Sequence, residues 1–68
     1  MKSFGETLKE LRLTQAMNQE TLGKNLAVSQ DTISLWERNK SLPDFESIKK
    51  LATLFDVTAD YILGLSDY

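Results

Sequence analysis

Several polar side chains share one side of the segment Gln30–Arg38 once its apolar residues are set aside. Ile33 and Trp36 stand three apart and mark the inward face of a helix, with Trp36 as a core anchor. Gln30, Asp31, Ser34, Leu35 and Arg38 are then left facing outward, with Thr32 at the margin. These types suit the edges of base pairs. The Gln30 amide can make two bonds to adenine N6 and N7, and a carboxylate such as Asp31 accepts from cytosine N4. Thr32 offers a hydroxyl or a methyl, and Leu35 an apolar surface for a thymine methyl. A helix fits the major groove of a duplex, and its first turn lies closest to the bases. Asp31 has a second use, because a carboxylate in the first turn of a helix is favoured by the helix dipole.

The flanks carry groups suited to phosphate. Asn18 and Gln19 stand where the preceding helix begins, and free backbone N–H groups there also favour an anion. Ser29, Ser34, Arg38, Asn39, Lys40 and Ser41 surround the outward-facing segment. Contacts from such groups position a protein on a duplex without specifying sequence.

Short capped helices must hold these residues. Ser3-Phe4-Gly5-Glu6 matches a capping box, in which a Ser oxygen accepts a backbone N–H three residues on and Glu reaches back. The first helix runs from there to about Ala16, with Leu8 and Leu11 on one face. Asn18 caps a second helix carrying Leu22 and Leu26, four apart, and Ser29 caps the third. Only Ala27, Val28 and Ser29 separate these two, which is the spacing of a helix-turn-helix from about Asn18 to Arg38. Pro43 forces Leu42 into an extended conformation and ends that unit. Asp44 caps a fourth helix whose apolar face reads Phe45, Ile48, Leu51, Ala52 and Phe55. Thr58 caps a short fifth helix with Ile62 inward and Gly64 as its stop. No segment alternates long enough for a strand. The expected fold is all-α, five helices in one domain spanning residues 1–68, with the recognition helix at about 30–38. Leu13 is apolar on an otherwise polar side of the first helix and has no assigned role.

Bulk numbers narrow the function classes. A 68-residue chain makes one small domain with limited buried surface. It has no Cys and no His, so neither a disulfide nor a zinc site of the usual ligands is expected. No cofactor, metal or small-molecule ligand is expected, and the lack of His and Cys, of a carboxylate pair in a cleft and of room for a pocket argues against an enzyme. No apolar run is long enough for a membrane span or a signal peptide, and the expected setting is cytoplasmic. Net charge is −2, unusual for a DNA-binding chain. Its distribution is uneven: residues 1–40 hold six Lys/Arg against five Asp/Glu, and residues 41–68 hold two against five. Affinity depends on the local field at the phosphates rather than on the sum.

The ordered set Leu11-Arg12, Gln19, Leu22, Val28-Ser29, Thr32-Ile33-Ser34, Trp36-Glu37, Pro43, Leu51-Ala52 and Asp60-Tyr61-Ile62-Leu63-Gly64 resembles the Cro/cI-type, or XRE-like, helix-turn-helix family. The resemblance covers nearly the whole chain. It implies a compact five-helix phage-repressor-like domain that binds operator DNA, usually as a dimer. It implies that Gln19 lies at a phosphate-contact position, that Gln30, Asp31 and Leu35 face bases, and that Arg12 and Glu37 form an internal salt bridge. The family usually has glycine at the position of Ala27 and alanine at that of Gly23, and here the two are exchanged. Glycine suits a turn needing positive φ, so Ala27 carries a cost of about 1–2 kcal/mol unless the turn relaxes. The ending Gly64-Leu65-Ser66-Asp67-Tyr68 resembles the point where longer members pass into a linker and effector domain.

Two functions fit. The first is a prokaryotic or phage transcriptional regulator, a repressor acting by promoter occupancy as a homodimer on a two-fold operator. The second is a protein-interaction module or antagonist of another regulator on the same fold, favoured by the acidic balance, Asp31 and Leu35. Tyr61, Leu63, Leu65 and Tyr68 either seal the core or make a two-fold contact, since aromatic residues are enriched at interfaces.

Overall fold

The computed structural model describes residues 2–65, which form five helices and, among the described residues, no strand: α1 Phe4–Thr14, α2 Gln19–Leu26, α3 Gln30–Glu37, α4 Phe45–Phe55 and α5 Ala59–Ile62. Each helix starts immediately after the residue whose side chain was expected to cap it. Ser3, Asn18, Ser29, Asp44 and Thr58 accept from the backbone N–H groups of Glu6, Thr21, Thr32, Ser47 and Tyr61. The Glu6 carboxylate completes the capping box by accepting from the Ser3 N–H at 3.2 Å. The Ser3 N–H and hydroxyl, both donating to it, hold the Glu6 carboxyl below its ordinary pKa, and the Ser47 N–H and hydroxyl do the same for Asp44.

Every helix also closes in one way. A left-handed residue follows the last turn, and the N–H after it returns to the carbonyl five residues back. The left-handed residues are Ala16, Ala27, Asn39, Asp56 and Gly64. The returning bonds run from Met17 to Arg12, Val28 to Gly23, Lys40 to Leu35, Val57 to Ala52 and Leu65 to Asp60. Met17, Val28 and Val57 then pack on the core, so closure and burial support each other. The first helix therefore ends at Thr14, two residues short of the expected Ala16, because Ala16 is already left-handed at φ 57°.

The core consists of Phe4, Leu8, Leu22, Leu26, Ile33, Trp36, Ile48, Leu51, Phe55 and Ile62. α2 packs most extensively on α3, α1 crosses α3, and α5 joins α4 to α1. Phe45 departs from its expected place: it is 73% exposed, with the Lys49 ammonium 5.5 Å from its ring centre. It opens α4 roughly 80° around the axis from the Ile48–Leu51–Phe55 stripe, so helical spacing alone overstates its inward tilt.

The exchanged glycine and alanine have a joint explanation. Ala27 does not relax; it sits at φ 59° and ψ 39°. A Cβ on Gly23 would lie 2.8 Å from the Val28 carbonyl oxygen, so the turn folds back onto α2 where only glycine fits. We expect Ala27→Gly to relieve the left-handed strain, less the entropy that glycine gains when unfolded, for a net gain of about 0.5–1 kcal/mol. Calorimetry should then show a melting temperature higher by about 2–8 °C. An unchanged or lower value would mean that Ala27 carries no strain.

Arg12 joins α1 to the end of α3. Its Nε and one terminal nitrogen donate to the two Glu37 carboxylate oxygens at 2.6 and 3.1 Å, and its other terminal nitrogen donates to the Met17 carbonyl at 2.9 Å. The side chains are only 9% and 4% exposed. Removing one partner strands a buried charge, so Arg12→Ala should cost about 3–5 kcal/mol in urea denaturation. The double change Arg12→Met/Glu37→Leu should recover most of that loss, because it removes both charges and fills the volume. A cost below about 1 kcal/mol for the single change would show that the pair does not organise the fold.

Candidate nucleic-acid interface

α3 presents the surface expected of it. Ile33 and Trp36 are buried, Gln30, Asp31, Leu35 and Arg38 are exposed, and Thr32 and Ser34 lie half-buried at the two margins. Asp31 stands in the first turn, beside the N-terminal end of the helix dipole. The Thr32 hydroxyl is 2.9 Å from that of Ser29, which also caps the helix. Those two hydroxyls therefore form a local pair at the helix start. Arg38 donates from Nε to the Ser34 hydroxyl at 3.2 Å, which lays the guanidinium along the outer face of α3.

Gln30 has a partner on the neighbouring helix. Its amide nitrogen lies 3.5 Å from the Gln19 side-chain oxygen, and the Gln19 amide nitrogen donates to Glu37 Oε1 at 3.1 Å. A chain of bonds thus runs from buried Arg12 through Glu37 and Gln19 to exposed Gln30. Spacing placed Gln30 on the outer face and Gln19 stood at the start of α2, yet neither reading revealed that Gln19 is anchored by Glu37. An acidic residue inside a helix-turn-helix with an amide at the start of α2 was the only available clue.

Asn18 accepts from Thr21 N–H at 2.7 Å and so serves as a cap at the edge of the same surface. Lys40 and Ser41 are exposed beyond α3. Asn39, exposed at the end of α3, also reaches α1 through its side chain. Its oxygen accepts from Gly5 N–H at 3.0 Å and its nitrogen donates to the Ser3 hydroxyl at 3.1 Å. Asn39 takes a left-handed backbone, at φ 58°, and its amide lies along the surface against the start of α1.

In and after α5, Tyr61 is half-buried, Leu63 lies at the edge of exposure and Leu65 is exposed by 68%. Tyr68 lies outside the described residues. Among the described residues no group of carboxylates is placed to hold a metal ion, and no helix is long and apolar enough to cross a membrane.

Comparison with known proteins agrees with this architecture. A helix-turn-helix family model matches residues 8–62. The transcriptional activator BcrR of Enterococcus faecalis is 42% identical over 61 residues, which is 90% of this chain and 30% of BcrR. Repressor protein C2 of Salmonella phage P22 is 34% identical over 60 residues, 88% of this chain and 28% of the repressor. The chain spans between 28% and 57% of the length of the curated relatives it matches. Among solved structures, the P22 c2 repressor crystallised with a synthetic operator superposes with a TM-score of 0.90 at 30% identity, covering 97% of this chain and all of that one. With the family match spanning most of its length and its fold shared with a phage repressor domain, the chain belongs to the Cro/cI-type, XRE-like helix-turn-helix family.

Proposed function

We propose that the chain binds double-stranded DNA as the DNA-reading domain of a transcriptional regulator, with α3 in the major groove. The observation that carries this reading is the outward face of α3 on a fold that superposes along nearly its whole length with a repressor solved on operator DNA. In that placement Gln30 pairs with adenine, Asp31 faces a cytosine or stays with the helix dipole, and Thr32 and Leu35 meet bases through methyl groups. Gln19 offers its second amide N–H to a phosphate, joined by Asn18, Ser29, Ser34, Arg38, Lys40 and Ser41. The Gln19–Gln30 contact supports Gln30 as the reader, because it restrains an amide whose two bonds to adenine need a fixed plane.

Two copies on a two-fold operator would set their α3 helices about 34 Å apart, one turn of DNA. Tyr61, Leu63 and Leu65 are the residues we assign to the contact between copies, on account of the exposed Leu63 and Leu65 beside the half-buried Tyr61 ring. Occupancy of a promoter by such a dimer blocks polymerase and makes it a repressor. Identity to a transcriptional activator favours a second outcome, in which the same bound domain recruits rather than blocks. A reporter with the operator placed over or upstream of the promoter separates the two.

Binding itself is tested by a salt titration on duplexes selected from a random pool. Affinity should fall with salt at a log–log slope near −0.9 for each neutralised phosphate. Gln30→Ala should lose about 1–3 kcal/mol on the selected site and much less on sites changed at the adenine it reads. If no duplex binds at low salt while another regulator protein does, the domain is an interaction module instead. A uniform small loss for Gln30→Ala on every sequence removes Gln30 from the readout.

A further inference from the structure

The end of α3 is tied to the start of α1 by one side chain. Asn39 takes the left-handed turn that closes α3, and its amide reaches back 34 residues to Gly5. The Gly5 N–H is one of the helix-start donors that α1 cannot satisfy internally. Asn39 Oδ1 accepts it at 3.0 Å, while Asn39 Nδ2 donates to the Ser3 oxygen that also accepts from Glu6 N–H. The amide therefore caps α1 jointly with Ser3. Backbones are in contact at the same place: a Cβ on Gly5 would fall on the Glu37 carbonyl, with the Trp36 carbonyl 2.8 Å away. The first turn of α1 and the last turn of α3 form one rigid junction, and the exposed segment Lys40–Ser41 leaves directly from it.

We propose that Asn39 is a positioning residue for DNA binding: its amide, joined to the Gly5 N–H and the Ser3 hydroxyl, fixes Lys40 where it meets a phosphate. The proposal rests on the DNA-binding reading above. Asn39 itself touches no phosphate; it acts through Lys40. The effect comes from restraint. Lys is a flexible point charge, and a contact made from an unfixed backbone loses ordering entropy on binding.

Asn39→Gly is the informative variant, because glycine keeps the left-handed turn at no steric cost while removing both bonds. Its fold is checked by thermal melting, and the junction by amide exchange, where the Gly5 N–H should exchange at least about tenfold faster once its acceptor is gone. DNA binding is then measured for the natural protein, Asn39→Gly, Lys40→Ala and the double variant across a salt series. At 0.1 M salt Lys40→Ala and Asn39→Gly should each weaken binding by about 5–10-fold and flatten the slope by about 0.9, the contribution of one phosphate. The double variant should be within about 2-fold of either single one, since both remove the same contact. Multiplying losses in the double variant, or natural affinity and slope in Asn39→Gly, would overturn the positioning role while leaving DNA binding intact. Failure of the natural protein to bind any duplex at low salt would overturn both readings.

Discussion

Glu37 sets the terms for the rest of the molecule. A carboxylate whose side chain is 4% exposed needs hydrogen-bond partners, and it has three bonds from two side chains: two from Arg12 and one from Gln19. Those partners come from α1 and α2, so one group on α3 fixes two helices against it. No buried side-chain polar atom among the described residues is left without a hydrogen bond. A network satisfied to this degree favours one arrangement of α1, α2 and α3 over its near neighbours, because sliding any of the three leaves a buried charge or amide unpaired. Apolar packing from Leu8, Leu22, Ile33 and Leu51 would tolerate a small slide far better.

The helix ends make the second constraint. Three of the five closures use a side chain other than Gly or Asn in a left-handed conformation, each at some cost in strain. That conformation lets the chain reverse within two or three residues and returns Met17, Val28 or Val57 to the core. Short connections with buried exits suit a domain whose apolar surface is small. At the α2–α3 turn this logic reaches its limit. Gly23 allows the Val28 carbonyl to approach, and Ala27 accepts the strain, so the angle between the two helices is set by backbone contact rather than by side-chain size.

Helix starts and the outward face of α3 were legible in the sequence because both depend on local rules. A cap needs only a short polar side chain three residues before an N–H, and Ser3, Asn18, Ser29, Asp44 and Thr58 all obey. The Arg12–Glu37 pair was legible only through family resemblance, since 25 residues separate its members. Phe45 was misplaced because periodicity assigns a direction but not a depth. Phe4 holds the same first position in α1 and is buried, as α1 begins over the core and α4 begins beside it. The bonds from Asn39 to α1 were not legible for a related reason: neither its left-handed φ nor a contact 34 residues away can be read from local composition.

On the proposed reading, charge and rigidity are linked. A chain of net charge −2 gains little from long-range attraction to a phosphate lattice, which is also screened within about 10 Å at 0.1 M salt. Such a domain must rely on short-range contacts, and the value of each depends on how much freedom it loses on binding. The outer groups are accordingly restrained before any partner arrives. Gln30 lies 3.5 Å from Gln19, Arg38 is bonded to Ser34 and Thr32 to Ser29, and the segment after Asn39 is anchored to α1. A strongly basic domain can leave its lysines loose and still bind; this one has few cations on the reading side and keeps the polar groups around them in place. Glu37 therefore contributes to recognition from within the core: by fixing Gln19, it fixes the support on which Gln30 rests.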